Sequence, residues 1–400
     1  MKSILYGTTA LMAVGLMAGT AVAAEKISLG LGGYWAAQAS FGNNESDAAG
    51  ADSGLRDHGF GQESEIYFSG KTTMDNGIKV GVMVQLEGET SGDQIDNTYI
   101  WSSGSFGRIE YGETWGPSLL MSYGSVGEKN HTGDFASFNP QLNINGLGFN
   151  SYGGGAGISG LPTEKLAYYT PRMGGFQVGV SYAPEPKNAN ANGTQDSDQG
   201  TQVGAELVDL GINYSGKFGG ATIGAFTSYY TSQTEGGPPT AAVAGSTSTT
   251  LTVIDPALAA GAVGVTTAAI AAAPGAVAAA DVEGHSVGAQ VSANGVRVGG
   301  RYTRHKDIGG AGLDRTNWRI GADYSMGALG LGVTYQVAEQ DVTAATEDTS
   351  TYLSVGASYN LSPGVQMYGG ILFLSFDDDA GAAASEGENS FGILGTKLSF

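Results

Sequence analysis

From Glu25 onward the chain alternates. In IKVGVMVQLEGE, Ile78, Val80, Val82, Val84 and Leu86 fall on one side of a period of two, and Lys79, Gly81, Met83, Gln85 and Glu87 on the other. LGLGVTYQVAEQ repeats this, with Leu329, Leu331, Val333, Tyr335 and Val337 set against Gly330, Gly332, Thr334 and Gln336. Such segments run to about ten residues, the length a tilted strand needs to cross a bilayer. A soluble β-sandwich also shows one apolar and one polar face, so the connections have to separate the two.

Short and long connections take turns. Turn chemistry marks tight links at Asp75-Asn76-Gly77, Ser103 to Phe106, Met173 to Gly175, Lys217 to Gly220, Asn294-Gly295, Met326 to Ala328 and Ser362-Pro363-Gly364. Longer polar or glycine-rich stretches lie near 42–62, 90–94, 114–163, 185–202, 235–283, 308–315, 341–349 and 377–388. Seven short and eight long links predict sixteen strands. An even count with short turns on one side and long loops on the other predicts an all-β fold, a sixteen-stranded antiparallel transmembrane β-barrel. An open edge in hydrocarbon would leave N–H and C=O groups unpaired, so KISLGLGGYWA must pair with SFGILGTKLSF, which ties down Phe400. Aromatic residues near strand ends read as two interfacial girdles: Tyr34 with Trp35, Tyr67 with Phe68, Tyr168 with Tyr169, Phe176, Tyr182, Tyr214, Tyr229 with Tyr230, Tyr324, Tyr335 and Tyr359.

Composition supports strands over helices. With 67 Gly, 11 Pro and 14% charged residues, helical bundles are disfavoured, because Gly costs about 1 kcal/mol in a helix interior. Cys is absent and the four histidines are scattered, so neither a disulfide framework nor a metal cofactor is indicated. The net charge of −20 repels phosphate backbones and argues against a nucleic-acid partner. Residues 1–23 read as a secretory signal: Lys2, the apolar run ILYGTTALMAVGLMAG and an A-x-A site at Ala21 to Ala23, with cleavage there or one residue later at Ala24. Within 235–283, the Ala-rich run from Pro256 to Ala280 is long enough to span a bilayer, but Gly261, Gly264, Pro274 and Gly275 break it. It reads as a low-complexity loop insertion.

A barrel of sixteen strands leaves an aqueous lumen, so what matters is what narrows it. The connection beginning at Thr114 is too long for an ordinary hairpin link. A signal segment, sixteen strands, a long third loop after GRIEYGETWG and a terminal Phe together resemble the trimeric general porins of Gram-negative outer membranes, over the whole of 24–400. The glycine-rich style is most similar to the alphaproteobacterial branch, and the Ala-rich insertion departs from the family's pattern. The resemblance implies an outer-membrane homotrimer for passive diffusion of small hydrophilic solutes and ions. It also implies contact with outer-membrane lipid and lipopolysaccharide, and recognition of Phe400 by the barrel-assembly machinery.

In that family the third loop folds inward and sets acidic residues against basic ones on the wall. Carried over, this points to Glu113, Glu128 and Asp134, with Lys129 beside them and Phe135 and Phe138 as anchors. Lys71, Lys79, Arg108, Arg297, Arg301 and Arg319 share the polar parity of their strands and would form the facing wall. Net acidity favours cations, although arginines at the constriction can override the total. Asp377, Asp378, Asp379, Glu386 and Glu388 offer hard oxygens for Ca²⁺ or form a solvated loop. A substrate-selective porin, a barrel enzyme using His131 with Ser137 or His285 with Ser286, and a secreted adhesin remain open alternatives.

Overall fold

The computed structural model describes residues 26–44, 57–88, 95–127, 162–184, 203–234, 281–308, 311–343, 345–377 and 386–400. These residues form sixteen strands: β1 (Ser28–Asn44), β2 (His58–Thr73), β3 (Lys79–Glu87), β4 (Ile95–Gly104), β5 (Gly107–Thr114), β6 (Thr163–Tyr169), β7 (Phe176–Ala183) and β8 (Val203–Phe218) in the first half. The second half holds β9 (Ala221–Thr234), β10 (Val282–Ala293), β11 (Val296–Lys306), β12 (Arg315–Met326), β13 (Leu329–Thr343), β14 (Thr346–Ser362), β15 (Val365–Asp377) and β16 (Glu386–Ser399). A single helical turn, α1 (Pro117–Leu120), follows β5. The signal reading on 1–23 and nearly all of the 235–283 insertion lie outside the described residues.

Every strand pairs antiparallel with its chain neighbours, and β1 pairs with β16, so the barrel is closed. The seam continues past the last strand: the Phe400 N–H donates to the Gly33 carbonyl and the Gly33 N–H to the Phe400 carbonyl, both at 3.1 Å. The strands are less uniform than ten residues, from 7 in β6 to 17 in β14. Most of the connection expected at 341–349 is strand, with Asp341 opposite Glu347 and Thr343 opposite Thr346. Beyond the hydrocarbon both faces of a strand are wet, so the apolar alternation that marks strands ends before the ladder does.

Cross-strand partners point to the same side, so the register sorts each strand into an outward and a lumen row. Ile320, Val333, Val355 and Ile371 occupy outward rows, and Ile320 and Ile371 are 54% and 51% exposed, as a lipid-facing surface requires. Asn317, Arg319, Thr334, Gln336 and Ser354 occupy lumen rows and are buried.

The aromatic girdles need one correction. Adjacent strand residues point to opposite faces, so only one member of each aromatic doublet reaches lipid. Trp35, Phe68, Tyr168 and Tyr229 lie on outward rows, whereas Tyr34, Tyr67, Tyr169 and Tyr230 lie inside. The inner wall is not uniformly polar either. Ala36, Tyr352, Tyr368, Leu372, Leu374, Phe391 and Ile393 pack into a buried cluster on the lumen rows of β1 and β14–β16.

Candidate functional site

After Thr114 the chain turns into the barrel. Pro117 stands at the start of α1, where its fixed φ suits a helical first turn and its missing N–H costs nothing. Asp209, on the lumen row of β8, receives that turn: its carboxylate accepts the Ser118 N–H at 3.1 Å and the Ser118 hydroxyl at 2.9 Å. Lys165 on β6 is 1% exposed and interacts electrostatically with Asp209.

From α1 the segment to Gly127 crosses the wall strand by strand. Asn213 on β8 donates its side-chain N–H to the Met121 carbonyl at 3.0 Å. The Gly124 N–H donates to Gln290 Oε1 on β10 at 3.3 Å, and Thr334 on β13 donates its hydroxyl to the Val126 carbonyl at 2.8 Å. Four lumen-row side chains from three strands thus hold backbone that would otherwise lack partners. The third loop therefore enters the lumen, at least through Gly127.

The segment passes between two charged groups on β11 and β12. On its short-turn side Arg297 binds Asp323, with Nε at 2.8 Å from Oδ2. On its outer side Arg301 and Arg319 are direct cross-strand neighbours, 4% and 3% exposed. Arg301 donates Nε and Nη2 to the Ser286 hydroxyl at 3.2 and 3.1 Å, and its guanidinium lies 5.0 Å from the centre of the Phe226 ring. Like charges at directly opposed positions repel, so this doublet is unfavourable for the sheet itself.

A doublet of the other sign faces it. Glu65 on β2 and Glu87 on β3 are also direct cross-strand neighbours on lumen rows, with Glu63 on the same row as Glu65. In the closed order β3 lies eight strands from β11, which is diametrically across the barrel. Tyr34 donates its hydroxyl to Glu65 at 2.9 Å. One wall of the lumen is locally anionic and the other cationic.

The expected site residues separate into groups. Arg297, Arg301 and Arg319 lie together on two adjacent lumen rows beside the inward segment. Lys71, Lys79 and Arg108 are on lumen rows too, but near the short-turn ends of β2, β3 and β5, so they line an entrance. Arg108 is bound to Glu110 and lies 4.4 Å from the centre of the Trp101 ring. Glu113 is displaced from its expected role: register puts it on the outward row with Ile109 and Tyr111, between Thr98 and Glu164. Glu110 is the lumen acid of β5. Glu128, Lys129, Asp134, Phe135 and Phe138 lie outside the described residues, as do His131, Ser137, Asp378 and Asp379.

His285 and Ser286 cannot act as a catalytic pair from opposite faces of one strand. His285 packs outward on Tyr229 at 4.8 Å between ring centres, while Ser286 faces the lumen and Arg301. Among the described residues no group of three or more His, Cys, Asp or Glu is placed to hold a metal ion. Sequence reasoning passed over Glu63, Glu65, Glu110 and Asp209. Parity marks all four as lumen-facing, Asp209 most clearly as the one acid in the alternating run LVDLGINY.

Comparison with known proteins agrees with the fold. An anion-selective porin from Comamonas acidovorans aligns over 94% of this chain and 100% of its own, with a TM-score of 0.59 and 20% identity. OmpT of Vibrio cholerae in its trimer form aligns over 94% and 100%, with a TM-score of 0.57 and 15% identity. Salmonella typhi OmpF in complex with daunomycin covers 93% and 97%, with a TM-score of 0.57 and 14% identity. No curated protein sequence matches significantly. The sequence profile of the Gram-negative porins matches residues 7–379. A closed barrel with lipid-facing outward rows, a wet lumen and a loop laid across it is built to let small solutes through a membrane, and the chain belongs to the Gram-negative porins, the passive diffusion channels of the outer membrane.

Proposed function

We propose that the protein is a homotrimeric channel that sorts small hydrophilic solutes by a transverse field between the Arg301–Arg319 doublet and the Glu65–Glu87 doublet. The observation that carries this reading is the pairing of like charges on each wall. Each doublet weakens its own sheet locally, and together the two set a field across the lumen between them. Such a field orients dipolar solutes and penalises apolar ones, with no catalytic step.

The sign of selectivity follows from the lumen rows rather than from the total charge. The described rows carry Lys71, Lys79, Arg108, Lys165, Lys217, Arg297, Arg301, Arg315, Arg319 and Lys397 against Glu63, Glu65, Glu87, Glu110, Asp209, Asp323 and Asp348. This wall favours anions although the chain as a whole is strongly acidic. Glu128 and Asp134 on the third loop would be set against it.

Self-association is supported by the outward rows near the seam. β1, β2 and β4 interrupt their apolar rows with Ala37, Ala39, Ser64, Thr98 and Ser102. Small outward residues let another barrel approach closely, as in membrane protein contacts generally. The Vibrio cholerae relative is described in a trimer form.

Reversal potentials in planar bilayers under a salt gradient test the field. Arg301→Ser and Arg319→Ser should shift selectivity toward cations, and Glu65→Gln and Glu87→Gln toward anions. Shifts of one sign in both sets, or no shift in either, would refute it.

A further inference from the structure

Six consecutive strands each place one glycine on the lumen row under the inward segment: Gly179 on β7, Gly211 on β8, Gly224 on β9, Gly288 on β10, Gly299 on β11 and Gly321 on β12. None has a positive φ, so backbone conformation does not call for glycine at any of them. Space does. A Cβ on Gly179 would lie 2.5 Å from Met121 Sδ, on Gly224 2.6 Å from the Tyr123 ring, and on Gly288 2.4 Å from the Tyr123 carbonyl oxygen. On Gly211 it would meet the Pro117 carbonyl oxygen at 3.0 Å, on Gly299 Val126 Cγ2 at 2.7 Å, and on Gly321 the Val126 carbonyl oxygen at 1.9 Å.

Glycine within a strand weakens it through lost packing and added chain entropy. A local weakness recurring across six adjacent strands, always beneath the same eleven residues, marks a close approach of two backbones. The missing side chains form a trough running round the wall, and the segment from Pro117 to Gly127 lies in it.

We propose that this glycine trough sets the aperture of the channel by fixing how deeply the inward segment sits in the wall. The depth follows from the contacts themselves. Real Cβ atoms stay beyond about 3.0 Å of other atoms, so Gly321→Ala requires the Val126 carbonyl to retreat by at least 3.0 − 1.9 = 1.1 Å. The sheet is braced on both sides by its ladders, whereas the segment is fastened to the wall by single side-chain hydrogen bonds such as that from Thr334 to Val126. The segment moves, and it moves inward. The inference rests on the channel reading but not on the field, because it concerns the size of the aperture and not its charge.

The test is single-channel conductance of Gly224→Ala, Tyr123→Ala, their double variant and Gly321→Ala, with reversal potential recorded alongside. The three atoms nearest a Cβ on Gly224 all belong to the Tyr123 ring, whereas at Gly321 the nearest is backbone. Gly224→Ala should lower conductance by roughly a quarter through narrowing of the aperture, and Tyr123→Ala should restore it. Gly321→Ala should lower it too, without rescue by Val126→Ala. Gly30→Ala is the control: it lies on the lumen row of β1 away from the segment, and its Cβ meets only the Ser69 side chain. Reversal potential should stay unchanged throughout, which separates this outcome from any result on the charged doublets. Unchanged or raised conductance in assembled Gly224→Ala, a loss that Tyr123→Ala does not relieve, or an equal loss in Gly30→Ala would overturn the proposal. Should Gly321→Ala fail to assemble, the Gly224 and Tyr123 pair still decides it, since that clash involves a side chain alone.

Discussion

Replacing Asp209 with Ala should loosen the inward segment without opening the barrel. The carboxylate is 0% exposed and takes two hydrogen bonds from Ser118, one from the backbone N–H at 3.1 Å and one from the hydroxyl at 2.9 Å. Only contacts that cross from segment to wall change on undocking. The interaction with Lys165 belongs to the wall in either state and drops out of the comparison. Hydrogen bonds to a charged group contribute about 1.5–3 kcal/mol each, and water re-forms part of this when the segment lifts, so the pair is worth about 2–3 kcal/mol to docking. At 1.4 kcal/mol per tenfold change, the undocked population should rise about 30- to 150-fold in Asp209→Ala. Asp209→Asn keeps an acceptor without the charge, and should give roughly half the free-energy effect. Single-channel recording reads the difference as excess open-channel noise and as closures at lower voltage. Noise and closing voltage identical to the unmodified protein, in channels that assemble normally, would refute the anchoring role of Asp209.

Glu110→Gln should shift selectivity toward anions, whereas Glu113→Gln should leave reversal potential unchanged, since the first is on the lumen row of β5 and the second on the outward row. Deleting Phe400 removes both backbone bonds to Gly33, so the yield of heat-modifiable trimer should fall while conductance per assembled trimer holds; normal yield would count against the closure reading. Ile320→Lys puts a charge on a lipid-facing row and should lower barrel stability in bilayers by about 2–4 kcal/mol if that row lies near the midplane, measured by denaturant titration.

Much of the barrel was legible along the chain because its cause is local. Alternation of Val80, Val82 and Val84 with Gly81 and Met83 requires only that successive side chains point to opposite faces. The same rule would have placed Glu113 correctly, since it shares parity with Ile109 and Tyr111, and would have divided the doublet Tyr229-Tyr230 between lipid and lumen. Both errors came from grouping residues by proximity in sequence rather than by row. The β13–β14 hairpin was harder to read, because Asp341, Thr343, Thr346 and Glu347 form a ladder where neither face is apolar.

The sequence by itself determined the number of strands, their closure through Phe400 and, where the alternation is unbroken by a bulge, the row to which a strand residue belongs, since period, turn chemistry and the exclusion of open edges from hydrocarbon are properties of neighbouring residues. Only the tertiary structure decided what faces what. That Arg301 stands beside Arg319 depends on register between strands, and that Glu65 and Glu87 stand across from them depends on closing the sheet into a ring. The bed of the inward segment has the same origin. Gly179 and Gly321 are far apart in sequence, and each alone reads as an ordinary strand glycine; they become one trough when strand tilt and register bring six rows to one level beneath Pro117 to Gly127.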